Sequence, residues 1–371
     1  MRLLDRYLLR ELMTPLAFCL GGFLIFWISF DLFDKLNNLQ EHKLHGGEVV
    51  AYELLRTPQL LTVVAPVALL LASLYALTQH ARHHELTAIR AAGVSLWRVA
   101  APYLAVGLVA SAGLFLMNEF VAPRGLERAE QILNRHTAGR ALAANPFEKV
   151  FFITRNGQKW AADFNQQTRR LRDVNIDWLK PDGSRLVFFA KAGTCRENVW
   201  TFTDVQEKFF EPGGMFPANQ IKTNALAMPE FAVPPEQIIS DLDISRQSTK
   251  AHVEQTQIPL VNLLNYLRQH PELPSWDRQW RWVNTQLHGR LAAPWTCLVV
   301  VLVAIPFGAA GGRRNVFVGV AGSIFICFAY FVLQQVGLAL GTGGQLPPWL
   351  GAWLPNIFFS TVAVGLTFKA R

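Results

Sequence analysis

The polar residues most capable of chemistry crowd into one short stretch, His80 to Arg98, between two long apolar runs. His84-Glu85 opens an H-E-x-x-H pattern, in which two imidazoles one helical turn apart bind zinc and the glutamate serves as base. Position 88 is alanine, so the second ligand is missing. His80, His83 and His84 share a helix face and could hold a metal, although a solvated helix face explains them more simply. No G-x-S-x-G element supplies a nucleophile. No glycine is followed by lysine anywhere, which excludes a phosphate-cradling loop of the G-x-x-x-x-G-K-[ST] type. Any ATP would be hydrolysed by another polypeptide. What remains is one carboxylate among small residues: Glu85, Ala88, Ile89 and Ala92 lie at helical spacing, and Gly93 offers a stop. Such a narrow face can seat in a groove of a partner; the alternative is a plain connecting helix on a membrane surface.

The elements on either side are membrane helices. Of 371 residues, 51% are hydrophobic and 17% charged, and long uncharged stretches lie in the first third and the last quarter of the chain. A hydrocarbon core roughly 30 Å thick needs about 20 apolar residues in a helix, because backbone polar groups must be satisfied within the segment. Six stretches qualify: Pro15 to Phe30, Pro58 to Gln79, Val99 to Asn118, Leu291 to Gly312, Val316 to Leu340 and Trp349 to Phe368. No small-x-small cleavage site follows the first, which reads as an uncleaved crossing. Cytoplasmic loops carry the excess of Lys and Arg. With the N-terminus inside, the inner segments hold Arg2, Arg6, Arg10, Arg82, Arg90, Arg98, Arg313, Arg314, Lys369 and Arg371, against Lys35, Lys43 and Arg56 outside. Both termini are therefore expected in the cytoplasm. The net charge of +8 partly reflects this bias and requires no nucleic-acid partner.

The insert between the third and fourth crossings reads as a soluble domain outside the membrane. Short apolar runs, Val150 to Thr154, Lys159 to Phe164, Leu171 to Leu179, Arg185 to Ala190, Asn198 to Thr203 and Val205 to Phe210, are separated by turn residues such as Asn156-Gly157, Pro181-Asp182-Gly183 and Pro212-Gly213-Gly214. This predicts an antiparallel β sandwich or jelly roll. Cys195 is alone in the insert, so no internal disulfide holds it. A helix is expected over Ile258 to Gln269, and Trp276, Trp280 and Trp282 among Arg278, Arg281 and Arg290 suggest a return through the headgroup region. The fold class is thus an α-helical membrane protein with six transmembrane helices and an inserted all-β, jelly-roll-like domain. Its divisions are 1–120 with the inner loop near 80–98, 121–290, and 291–371. In the outer halves of crossings one and five, Phe26, Phe30, Asp31 and Lys35, and Phe325, Phe328 and Gln335, mix aromatic and polar groups as a lipid path would; helix packing is the competing explanation.

These residues resemble a known family. Pro66-Val-Ala-Leu-Leu-Leu-Ala-Ser-Leu74, His84-Glu-Leu-Thr-Ala-Ile-Arg-Ala-Ala-Gly-Val-Ser95 with Pro102, Asp5-Arg-Tyr-Leu-Leu-Arg-Glu-Leu12, and Leu287-His-Gly-Arg-Leu-Ala-Ala-Pro294 leading to Ala304-Ile-Pro-Phe-Gly308 are similar to the lipopolysaccharide-export permeases LptF and LptG, and the opening leans towards LptG. The resemblance implies a bacterial inner-membrane subunit that pairs with a second permease of the family and a cytoplasmic, LptB-like ATPase dimer. That ATPase, not this chain, would use ATP and Mg, and this chain would be non-catalytic, without a cofactor or metal. It would extract lipopolysaccharide and pass it through a periplasmic jelly roll to an LptC/LptA-like bridge. The loop would be the coupling helix, with Glu85 transmitting ATPase closure and Ala88, Ile89, Ala91, Ala92 and Gly93 forming the close contact. Where family members often place basic residues, this chain has Asp31, Asp34 and Lys35. Other readings are the permease of another lipid or lipoprotein exporter, such as the MacB-like class whose exported domain follows the first crossing, and a membrane-bound lipid- or glycan-modifying enzyme.

Overall fold

The computed structural model describes residues 3–41, 45–126, 128–129, 131–132, 147–153, 158–165, 168–180, 182–196, 199–214, 216–228, 234–249, 258–270, 274–309 and 316–369. Arg2, Lys43, Asn156-Gly157, Pro181, Arg313, Arg314 and Arg371, used above for orientation or turns, lie outside these residues. Among the described residues, six helices are long and apolar enough to cross a membrane. Together with the six-stranded antiparallel sheet in mid-chain, they make the protein a helical membrane protein with an inserted β domain.

One compact unit comprises residues 1–136, 252–260 and 284–371. Helix α1 (Leu3–Glu41) has 39 residues, about 58 Å at 1.5 Å per residue, so it extends well beyond the apolar run at its centre. It packs against α2 (Gly46–Arg82) and, after the short α3 (Glu85–Ala91), against α4 (Leu96–Leu116). Leu8 and Leu12 of α1 are wholly buried beside Leu69, Leu70, Val99 and Tyr103. A π-helical turn, Met117–Val121, continues α4.

The fourth crossing begins well before the apolar run from Leu291. Helix α7 (Arg278–Ala292) runs through a 3-10 turn, Ala293–Trp295, into α8 (Thr296–Ala309), and the candidate span is Arg278–Gly308. The interfacial Trp280 and Trp282 are therefore on the crossing helix itself. Pro294 explains the turn, since proline removes a helical donor. Across the break, Asn356 Nδ2 donates to the Ala292 carbonyl at 2.8 Å, and the Tyr330 hydroxyl meets both Asn356 Oδ1 at 2.6 Å and Thr296 Oγ1 at 2.7 Å. This buried network joins α8 to α9 (Val316–Gly343) and α10 (Pro348–Lys369). The last two helices approach through glycine: Gly337 and Gly341, one turn apart on α9, face Gly351 of α10, where no side chain keeps the backbones apart.

The second unit comprises residues 137–251 and 261–283. Its strands are β1 (Glu148–Ile153), β2 (Gln158–Asn165), β3 (Arg170–Leu179), β4 (Arg185–Arg196), β5 (Val199–Phe210) and β6 (Asn219–Met228). They pair antiparallel in chain order, an up-and-down meander rather than the interleaved pairing of a jelly roll. The runs Asn198 to Thr203 and Val205 to Phe210 prove to be one strand, β5. Its buried residues pass from Phe202 to Val205, a spacing of three, because Asp204 has φ 53° and turns the strand's face over. Asp173 (φ 50°) does the same in β3, between Leu171 and Val174. Aspartate tolerates this left-handed region better than most residues. Strand β6 has no apolar signature because it is an edge strand, with Leu226 packed partly on the core.

Trp160, Phe188, Trp200 and Phe202 fill that core, and helix α5 (Pro235–Thr249) lays Ile238 and Leu242 on it. Helix α6 (Leu260–Gln269) carries Tyr266, stacked on His270 at 4.3 Å. Asp241 of α5 is 7% exposed, 3.8 Å from His270 Nε2, with both carboxylate oxygens lacking hydrogen bonds. Burial pushes its carboxyl up to about 7. Its folded value therefore lies above its unfolded one, and the stabilisation is complete below about pH 4 and lost as pH rises through about 7. Hydrogen exchange of β3 to β5 in the full chain should quicken over that interval. Asp241→Asn should flatten the slope and slow exchange at pH 8, with a stability gain on the order of 1–3 kcal/mol. A slope unchanged by Asp241→Asn would refute the assignment.

Candidate functional site

The loop joining α2 to α4 is held in one conformation by its own backbone. His84 adopts φ 61°, which ends α2 and starts α3, and Gly93, at φ 83°, ends α3. The side chain of Ser95 caps α4 by accepting from the Arg98 amide. Leu86 and Leu96 are buried in the helical core, with Ile89 and Val94 partly buried beside them. The opposite side of α3 is open: Ala88, Ala91, Ala92 and Gly93 are exposed. Thr87 and Arg90 are exposed as well, so the helix shows solvent a strip of small residues flanked by one threonine and one arginine.

Glu85 stands at the start of this strip, its side chain 37% exposed. Its Oε2 accepts from the Tyr7 hydroxyl of α1 at 3.0 Å and lies 2.6 Å from His80 Nδ1 of α2. An ionised carboxylate only accepts, so Nδ1 carries the proton in this contact. Partial burial alone would raise the Glu85 carboxyl, but the hydrogen bonds from His80 and Tyr7 outweigh it and hold the group below its usual range. At the loop's other end, Arg98 Nη2 donates to Asp5 Oδ2 of α1 at 2.9 Å. His80 is buried whereas His83 and His84 are exposed, so the three do not converge. Among the described residues no group of three His, Cys, Asp or Glu side chains could hold a metal ion.

At the far end of α1, Asp31 is surrounded by cations. Lys35 Nζ donates to Oδ1 at 2.7 Å, and Arg56 of α2, seated over the Tyr52 ring, donates to Oδ2. The acidic group is thus paired within the chain. Glu53 of α2, 6% exposed, has no hydrogen bond to either carboxylate oxygen among the described residues. Phe26 and Phe30 of α1 and Phe325, Phe328 and Gln335 of α9 are all exposed. Helix α1 packs chiefly on α2 and α4, and α9 on α10 and α2, so the two sets lie on helices that share α2 as a neighbour.

The profile of the lipopolysaccharide export system permease LptF/LptG matches residues 6–369 of the chain. The protein belongs to this permease family. Two relatives are the proteins named lipopolysaccharide export system permease protein LptG from Escherichia coli strain K12 and from Escherichia coli O6:H1. Each is 22% identical over 377 residues, covering 99% of this chain and 98% of the relative. Family membership and the six apolar helices make the chain a multi-pass membrane permease.

One site in this permease is invisible to motif reasoning. Arg290, 8% exposed, donates to the Ile258 carbonyl and to the Asn118 carbonyl at 2.8 Å, and lies 3.5 Å from Glu119. Glu119 in turn accepts from the Leu260 amide at 2.9 Å. The segment entering α6 is thereby tied to the π-helical turn and to α7. The available signal was a lone arginine at the edge of an apolar run, where a charge is costly unless paired. The structure places it in this buried cluster rather than in the headgroup region expected from the neighbouring tryptophans.

Proposed function

We propose that this chain is the membrane subunit of an ATP-driven exporter that extracts lipopolysaccharide and hands it to a periplasmic bridge. Helix α3 docks in a groove of a separate cytoplasmic ATPase, which hydrolyses ATP with Mg. The observation that carries the reading is the exposed strip Ala88, Ala91, Ala92 and Gly93 beside a half-exposed, ionised Glu85. A surface without long side chains permits close approach, and a carboxylate at its edge fixes orientation by pairing with an Arg or Lys. Both termini lie in the cytoplasm of a bacterial inner membrane, and the β domain lies in the periplasm. A second permease of the family completes the membrane part. Phe26, Phe30, Phe325, Phe328 and Gln335 face the lipid path shared with that subunit, and Lys35 and Arg56 neutralise Asp31 as anionic headgroups pass.

The test uses a variant keeping only Cys195, with Cys19, Cys297 and Cys327 changed to Ala. Intact cells are treated with an impermeant thiol reagent, and the protein is then purified from native membrane. Cys195 should be labelled without lysis, and an ATPase, a second permease and lipopolysaccharide should be retained. Labelling only after lysis would refute the orientation. Purification of the chain with neither ATPase nor lipid would refute the function.

A further inference from the structure

Two side-chain contacts attach the loop to a single helix. On the N-terminal side of α3, Tyr7 donates to Glu85 Oε2 at 3.0 Å. On the C-terminal side, Asp5 accepts from Arg98 at 2.9 Å, with the Asp5 side chain 15% and the Arg98 side chain 34% exposed. Asp5 and Tyr7 stand two residues apart, in the first turns of α1. The next turns are anchored by Leu8 and Leu12, wholly buried in the same core as Leu86 and Leu96. His80 completes the arrangement from α2: its ring lies 5.6 Å from that of Tyr7, and its Nδ1 contacts Glu85. The loop is therefore gripped at both ends by one helix, with apolar contacts between.

We propose that the start of α1 is a clasp for the loop, in which Asp5 and Tyr7 are positioning residues that make α1 and α3 move as one body. This deepens the coupling reading above and rests on it. A docked ATPase that displaces α3 must displace Glu85 and Arg98, and through them Tyr7 and Asp5. Helix α1 is unbroken from Leu3 to Glu41, and Asp31 lies 26 residues beyond Asp5, about 39 Å along the axis. Tilting the clasped end therefore shifts Asp31 and Lys35, at the other end of the same helix, against Arg56 of α2. The Asp5-Arg-Tyr-Leu opening acquires a physical role: a carboxylate and a phenol placed to catch the two ends of the loop, on a helix whose Leu8 and Leu12 fix its rotation.

The full complex in proteoliposomes, loaded with lipopolysaccharide and supplied with ATP, reads the proposal as lipid released per ATP hydrolysed. Tyr7→Phe keeps the ring and its packing and removes only the donor. It should lower that ratio about tenfold, the scale of one hydrogen bond to a charged group, while the ATPase stays bound. Asp5→Arg and Arg98→Asp should each do the same, and the double reversal should recover the ratio to within about twofold. A merely structural role would lower ATPase retention and thermal stability together with the ratio, and the reversal would not restore coupling. That pattern, or a wild-type ratio in Tyr7→Phe and in both single charge variants, overturns the clasp. Glu85→Ala is measured in parallel. If it loses release while the clasp variants do not, the clasp alone fails. If it couples normally, the coupling reading fails and the clasp with it.

Discussion

Gly351→Val should destabilise the membrane bundle by about 3 kcal/mol or more, the upper range for overpacking. A Cβ at Gly351 would lie 2.5 Å from the Gly337 carbonyl oxygen and 3.0 Å from the Gly341 Cα, and a Cβ at Gly337 would collide with the Gly351 carbonyl oxygen. All of these neighbours are backbone, so no side chain can swing aside and the helices must separate. Separation would also pull Asn356 of α10 from the Ala292 carbonyl and Tyr330 of α9, leaving polar groups unpaired in an apolar interior. Gly365→Val on the same helix is the control, because nothing lies within 4 Å of its Cβ position. Thermal unfolding in lipid nanodiscs should show a fall for Gly351→Val and little change for Gly365→Val. Equal effects would mean that helix propensity, not close packing, sets the response.

This glycine contact shows where sequence reasoning stops. Six crossings were legible because hydrophobic length is a one-dimensional property. Which faces meet is not, and Gly337, Gly341 and Gly351 are scattered small residues until two helices are docked. The β domain was legible where alternation is regular, as in β2. It failed at Asp204, where a left-handed residue splits the pattern of one strand into two apparent runs, and at β6, whose exposed edge lacks an apolar signature. At the loop, helical spacing drew attention to Glu85 and its small neighbours. Its ties to Tyr7, 78 residues away, and to His80 could not be seen, because long-range pairing leaves no local spacing. The pairing of Asp31 with Arg56 was hidden for the same reason: Arg56 is 25 residues away in sequence and adjacent only in the fold.

Glu85→Ala should all but abolish transport while leaving the chain folded. Two facts separate function from stability here. The side chain is 37% exposed, so its removal opens no core cavity. Leu86, Ile89 and Val94 still fasten the loop to the helical core, and Asp5 still holds Arg98. Loss of stability should therefore stay within about 1–3 kcal/mol, the cost of leaving the buried His80 ring nitrogen without its partner. Truncating one member of a buried, hydrogen-bonded charge pair at an interface costs roughly 2 to 5 kcal/mol, or about 30-fold to several thousandfold in affinity. Glu85→Gln retains shape and an acceptor oxygen and should be milder. The decisive measurement is ATP-dependent lipopolysaccharide release from proteoliposomes containing the complete complex, wild type against Glu85→Ala. Release should fall at least about 30-fold with the permease inserted and folded; release at the wild-type rate would contradict Glu85 as the point of coupling.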